Sequence, residues 1–138
     1  MKEKEITTER LVLVDGQGKR RGMLDVTQEG IARLCLFDET DRIRFVAGVE
    51  EARIVHVALA DERSIERLNF SNAAIDTGLY FNDANGVSRV AFGIHGSEVR
   101  LVLSDDQNRV RGTLGLKSNG DGDFRIVDSN GKILARLP

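Results

Sequence analysis

Six aspartates stand at nearly constant spacing along the 138-residue chain, and the residues around each of them repeat in kind. Asp15, Asp38, Asp61, Asp83, Asp105 and Asp128 are separated by 23, 23, 22, 22 and 23 residues. Four positions before each lies Leu11, Leu34, Val57, Leu79, Leu101 or Phe124, and two before lies Leu13, Leu36, Leu59, Phe81, Leu103 or Ile126. Nine positions after each lies Leu24, Ala47, Phe70, Phe92, Leu114 or Leu137. All of these are apolar in a chain that is 41% hydrophobic overall, so the period is not an accident of composition. Alternation on the approach to each Asp is the two-residue period of a strand with one packed side.

The turn carries its own signal. Three residues after each Asp come Gly18, Asp41, Ser64, Gly86, Asn108 and Gly131. All but Ser64 belong to the types that enter the left-handed backbone region most readily. An Asp accepting backbone amides, two right-handed residues and then a left-handed one describe a three-residue hairpin loop built on a type I turn and a bulge. Asp15, Asp38, Asp61, Asp83, Asp105 and Asp128, with Gly18, Gly86 and Gly131, are therefore expected to be structural turn residues. The pattern predicts an all-β fold of six tandem hairpin repeats of 22–23 residues, a single domain over 9–138 behind a short charged leader over 1–8. The connectors, such as Thr27–Gly30, His95–Ser97 and Lys117–Gly122, are polar and short enough for further hairpins. Only Asp61–Leu68 has a composition that could form two helical turns, and the repeat register favours a hairpin there as well.

A lone two-stranded hairpin cannot bury its apolar side, so the repeats must cover one another or a neighbouring chain. Twelve such strands can close into a trefoil-like unit, stack as a β-solenoid or a prism assembled from several chains, or run out as a long twisted sheet. The other side of the strands differs between the halves. Positions three and one before the Asp are Val12 and Val14, Cys35 and Phe37, Ala58 and Ala60, then Tyr80 and Asn82, Val102 and Ser104, Arg125 and Val127. The N-terminal half thus reads as apolar on both sides, which calls for two layers of cover or a subunit interface.

Charge narrows the partners. Twenty basic and 22 acidic residues give a formal charge of -2 with the signs interspersed, so attraction to nucleic acid or to an anionic membrane is not expected. A single cysteine, Cys35, excludes an intrachain disulfide framework. With neither an apolar signal segment nor a run of 18 apolar residues, the expected location is cytoplasmic.

Six residues after the Asp stand Arg21, Arg44, Arg67, Arg89 and Arg111, with Leu134 ending the series. Such a ladder could bind a polyanion or phosphate, or it could donate to turn carbonyls and pair with acidic neighbours. With a three-residue loop these arginines would share the face of the apolar residue two before the Asp; a loop of two or four would turn them over. His95 is a further ligand-binding candidate in its connector. Asn119, Asp121 and Asp123 form the best metal candidate, an oxygen-rich glycine loop that lacks the full calcium-hand spacing. No cofactor is expected. His56 and His95 occupy non-equivalent positions without a neighbouring Cys or second His, so no catalytic set is expected either.

The segments Leu79–Arg89 and Phe124–Lys132 resemble the short tandem β-hairpin repeats of bacterial proteins, in which a hydrophobic strand, Asp-x-x-Gly and a basic exit strand recur. The resemblance spans nearly the whole chain. It departs at Asp41, Ser64 and Asn108, which replace the Gly, and it implies no substrate. The expected function is a non-enzymatic structural or assembly module that self-associates into a homo-oligomer. A carbohydrate or small-ligand binding module of β-trefoil-like type is the first alternative, with a protein or glycan partner, and an enzyme with its site in the inter-repeat loops is the second.

Overall fold

The computed structural model describes residues 5–49 and 54–137, which form twelve strands in one antiparallel sheet whose spatial order is the chain order. The strands are β1 (Arg10–Val14), β2 (Arg20–Val26), β3 (Ala32–Phe37), β4 (Ile43–Val49), β5 (Val55–Ala60), β6 (Glu66–Asn72), β7 (Asp76–Asn82), β8 (Ser88–His95), β9 (Glu98–Ser104), β10 (Val110–Leu116), β11 (Gly122–Val127) and β12 (Ile133–Leu137). The sheet is open, with β1 and β12 as its outer strands. Of the leader expected over 1–8, residues 1–4 lie outside the described residues and 5–8 belong to no strand. Among the described residues, no helix is long and apolar enough to cross a membrane.

The six Asp corners share one set of hydrogen bonds. Each Asp amide donates to the carbonyl four residues on, and the amide three residues on donates back to the Asp carbonyl. Each Asp Oδ1 then accepts the amides two and four residues on, at 2.8 to 3.2 Å. These contacts satisfy loop donors that would otherwise need water. The third residue is left-handed in every case, at φ 57 to 81, including Ser64 at φ 64. Asp61 makes the same corner as the others and β6 begins at Glu66, so the helical alternative is not taken.

A second irregularity decides where the arginines go. In all six hairpins the residue before the Asp pairs with the fifth after it, whereas the residue two before pairs with the seventh, as in Val14↔Arg20 and Leu13↔Gly22. The sixth residue, Arg21, Arg44, Arg67, Arg89 or Arg111, is therefore the extra residue of a β-bulge. This corrects the expectation that a three-residue loop would put the ladder on the apolar face. A bulge re-aims its side chain out of the pleat, and these arginines turn back toward the corner instead.

Cross-strand register lines up the apolar positions into continuous rows. One runs Leu11, Leu24, Leu34, Ala47, Val57, Phe70, Leu79, Phe92, Leu101, Leu114, Phe124, Leu137. The next runs Leu13, Gly22, Leu36, Phe45, Leu59, Leu68, Phe81, Val90, Leu103, Gly112, Ile126, Ala135. Neither row contains a charged residue, although 30% of the chain is charged. Yet among the described residues this face has no second layer: Phe92 and Leu114 are each 55% exposed, and Leu13, Leu24, Leu59, Phe81 and Leu103 are exposed as well.

The buried core sits on the opposite face of the N-terminal half. Met23, Cys35, Phe37 and Ala58 are buried there, with Ile43 and Val46 packed against the first three. A single sheet can cover its own residues only by bending and by laying long side chains over them. The Arg20 guanidinium lies 3.9 Å from the centre of the Phe37 ring and forms part of that cover. Close backbone approach on the same face marks Gly93 and Gly115, where a Cβ would collide with the backbone of the adjacent strand at Thr77 and at Val99.

Candidate functional site: the arginine rim

All six Asp corners lie along one rim of the sheet, since every odd strand leads into a corner and every even strand leaves one. The bulge arginines tie this rim together in two directions. Toward their own corner, Arg21 reaches Asp15 at 2.8 Å, Arg44 reaches Asp38 at 3.6 Å, Arg67 reaches Asp61 at 3.4 Å, Arg89 reaches Asp83 at 3.3 Å and Arg111 reaches Asp105 at 2.6 Å. Toward the next corner, Arg44, Arg67 and Arg89 each donate Nε to the carbonyl just before the following Asp: Ala60 at 2.8 Å, Asn82 at 3.0 Å and Ser104 at 2.9 Å. Arg111 reaches the carbonyls of Asp128 and Ser129.

A second line of contacts runs outside the first. Arg20 makes a two-pronged bond to Asp41, with Nε to Oδ1 at 2.9 Å and Nη2 to Oδ2 at 2.8 Å. Arg42 donates to the Glu62 carbonyl, and Arg63 donates to that of Ala84 at 2.6 Å. A planar guanidinium suits this task because its fixed fork can hold a carboxylate and a carbonyl at once.

The carboxylates of Asp15, Asp38, Asp61, Asp83 and Asp105 are stabilised in their charged form. Asp38 is lowered to about 2, first by the Thr40 hydroxyl, against partial desolvation, and then by the amides of Arg42 and Thr40. Backbone amides, led by Gln17 at Asp15 and by Asn85 at Asp83, hold those two carboxyls below the ordinary range. At Asp61 and Asp105, desolvation pushes upward and is outweighed by backbone amides and arginines.

The other candidates are placed as follows. His95 lies opposite Asp76 in the β7–β8 register, and its ring pairs with the Asp76 carboxylate. Both border a hollow of about 290 Å³ with Tyr80 and Arg100. Asn119 and Asp121 bond one another at 2.8 and 3.1 Å, closing their own connector, whereas Asp123 accepts from Thr113 at 3.2 Å on the sheet. The three are thus held by separate local partners, and among the described residues no group of three His, Cys, Asp or Glu side chains is arranged to hold a metal ion. No buried side-chain polar atom lacks a partner among the described residues.

One polar cluster escapes a reading by corner position alone. Asp25 is buried on the core face, paired in register with Arg10 on one side and Arg33 on the other. Arg33 binds it at 2.9 and 3.3 Å and Arg10 lies at 3.5 Å, and the Arg33 hydrogen bond lowers its carboxyl below the ordinary range. The signal was present in the sequence as opposite charges flanking Thr27–Ile31, but only the register of that connector brings them together. No protein-family model matches the chain, and no curated protein is significantly similar to it.

Proposed function

We propose that the chain is a non-enzymatic assembly module, a tandem hairpin repeat that forms a prism-like homo-oligomer in which the apolar faces of several copies make one core. The uncovered apolar face carries this reading. A folded monomer of 15.3 kDa would expose roughly 7,100 Å². This chain exposes 10017 Å². The excess of roughly 2,900 Å² per chain is on the scale that permanent homo-oligomeric interfaces bury. A second copy fits the face because the rows are long, unbroken and free of charge, and a like row is the surface that matches them.

The rim supports the same reading. Its arginines are engaged with corner carboxylates and carbonyls, which gives them the work of fixing the spacing of the corners. Sedimentation equilibrium tests the proposal: the protein sediments as a defined oligomer that persists on dilution to about micromolar concentration, near the weak end of stable association. A monomer at that concentration, with its strands intact by circular dichroism, overturns it.

A further inference from the structure

The geometry points to an edge seam within that assembly: β12 of one copy pairs antiparallel with β1 of the next, in the register Val12 opposite Arg136. This rests on the proposed assembly and specifies how its walls join. Because the strands alternate in direction and are even in number, β12 and β1 run oppositely, as neighbours in this sheet always do. A head-to-tail junction would therefore continue the same ladder with the same face outward.

Register within the chain dictates the offset. Wherever one hairpin meets the next, the ninth residue after an Asp pairs with the residue four before the following Asp, as in Leu24↔Leu34 and Phe92↔Leu101. The same rule places Leu137 opposite Leu11 of the next copy, Ala135 opposite Leu13 and Arg136 opposite Val12. Both apolar rows then run unbroken from copy to copy.

Backbone hydrogen-bond direction agrees independently. The Glu9 carbonyl accepts from Val26, and the Asp15 amide donates to Lys19, so odd-numbered residues of β1 face β2. Val12 then directs its amide and carbonyl out of the sheet. At the far edge the Asp128 amide donates to Lys132, so Ile126 and Phe124, two and four residues before it, face β12; Phe124 takes Leu137 as its hydrogen-bonded partner, which turns Arg136 outward. Val12 and Arg136 are thus a matched pair of donors and acceptors, whereas a one-residue slip would oppose groups that point apart.

The test is cross-linking. Paired antiparallel residues of this kind have Cα atoms about 5.5 Å apart, within disulfide range. The doubly substituted chain, Val12→Cys with Arg136→Cys, should form covalent multimers under mild oxidation, up to the native mass. Neither single variant should do so, because Cys35 is buried. Hydrogen exchange on the unaltered protein gives a second readout: the Val12 and Arg136 amides should exchange about a hundred-fold more slowly than those of a free edge strand. An oligomer without cross-links and with fast edge amides overturns the seam while leaving face-to-face assembly standing. Cross-linking by Val12→Cys alone means that β1 meets β1 and overturns it too. A monomeric protein removes both proposals.

Discussion

Arg111 donates Nε to Asp105 at 2.8 Å from the bulge six residues downstream. The same guanidinium reaches the Ser129 carbonyl at 3.1 Å, so one side chain joins two corners. Replacing Arg111 with Ala should lower stability by about 1.5–3 kcal/mol, the range for hydrogen bonds to charged groups. Arg111→Lys should recover less than half of that, because an ammonium cannot span both partners. Urea denaturation of the three proteins checks both statements.

Ser64 occupies a left-handed conformation at φ 64 that favours glycine. Ser64→Gly should stabilise the protein by roughly 0.5–1 kcal/mol. Asp41→Gly should not give the same gain, because Asp41 is also the partner of Arg20. Thermal unfolding of both variants separates the backbone effect from the lost ion pair.

On the apolar face, Phe92→Glu and Leu114→Glu change side chains that are 55% exposed in the single chain. The strand content should survive, yet the oligomer should weaken by about two orders of magnitude in Kd, since a charge would enter an apolar core. Sedimentation velocity over a dilution series measures this.

Gly93 and Gly122 make a matched pair of probes. A Cβ at Gly93 would strike the Thr77 backbone, whereas one at Gly122 meets nothing within 4 Å. Gly93→Ala should therefore cost about 1–3 kcal/mol and Gly122→Ala less than about 0.5 kcal/mol. Denaturant midpoints at equal slope provide the comparison.

Acid should loosen the corners in a defined window. Asp38 is lowered in the fold from 3.8 to about 2, so its contribution is present in full above pH 4 and is lost as pH falls through about 2. Stability should decline between those limits. Thr40→Val removes the hydroxyl that contributes most to the shift and should move this part of the decline toward higher pH. Urea midpoints measured from pH 5 to pH 2 give the profile.

What could be read along the chain and what could not divide by the range of the interaction. Asp15 to Gly18 and its five counterparts are local: a carboxylate two and four residues from its amide donors, and a left-handed residue at the third position, act within one loop. They are legible without knowing what lies across the sheet, and even Ser64, the poorest fit by type, obeys the corner. The apolar columns likewise specify strands of period two. The bulge at Arg21, Arg44, Arg67, Arg89 and Arg111 was hidden, because an extra residue is defined only against a partner strand, and a single inserted position reverses the face on which a side chain emerges. For the same reason Asp25 and Arg33 became partners only through the β2–β3 register.

The sequence by itself determined six corners, twelve strands and the apolar columns that flank each corner, because each depends on contacts within a few residues or on simple alternation. Only the tertiary structure decided that the sheet stays open, that its small core lies behind Cys35 and not beneath the leucine rows, and that the arginines bind the rim. Those outcomes depend on how twist and curvature accumulate over strands far apart in the chain.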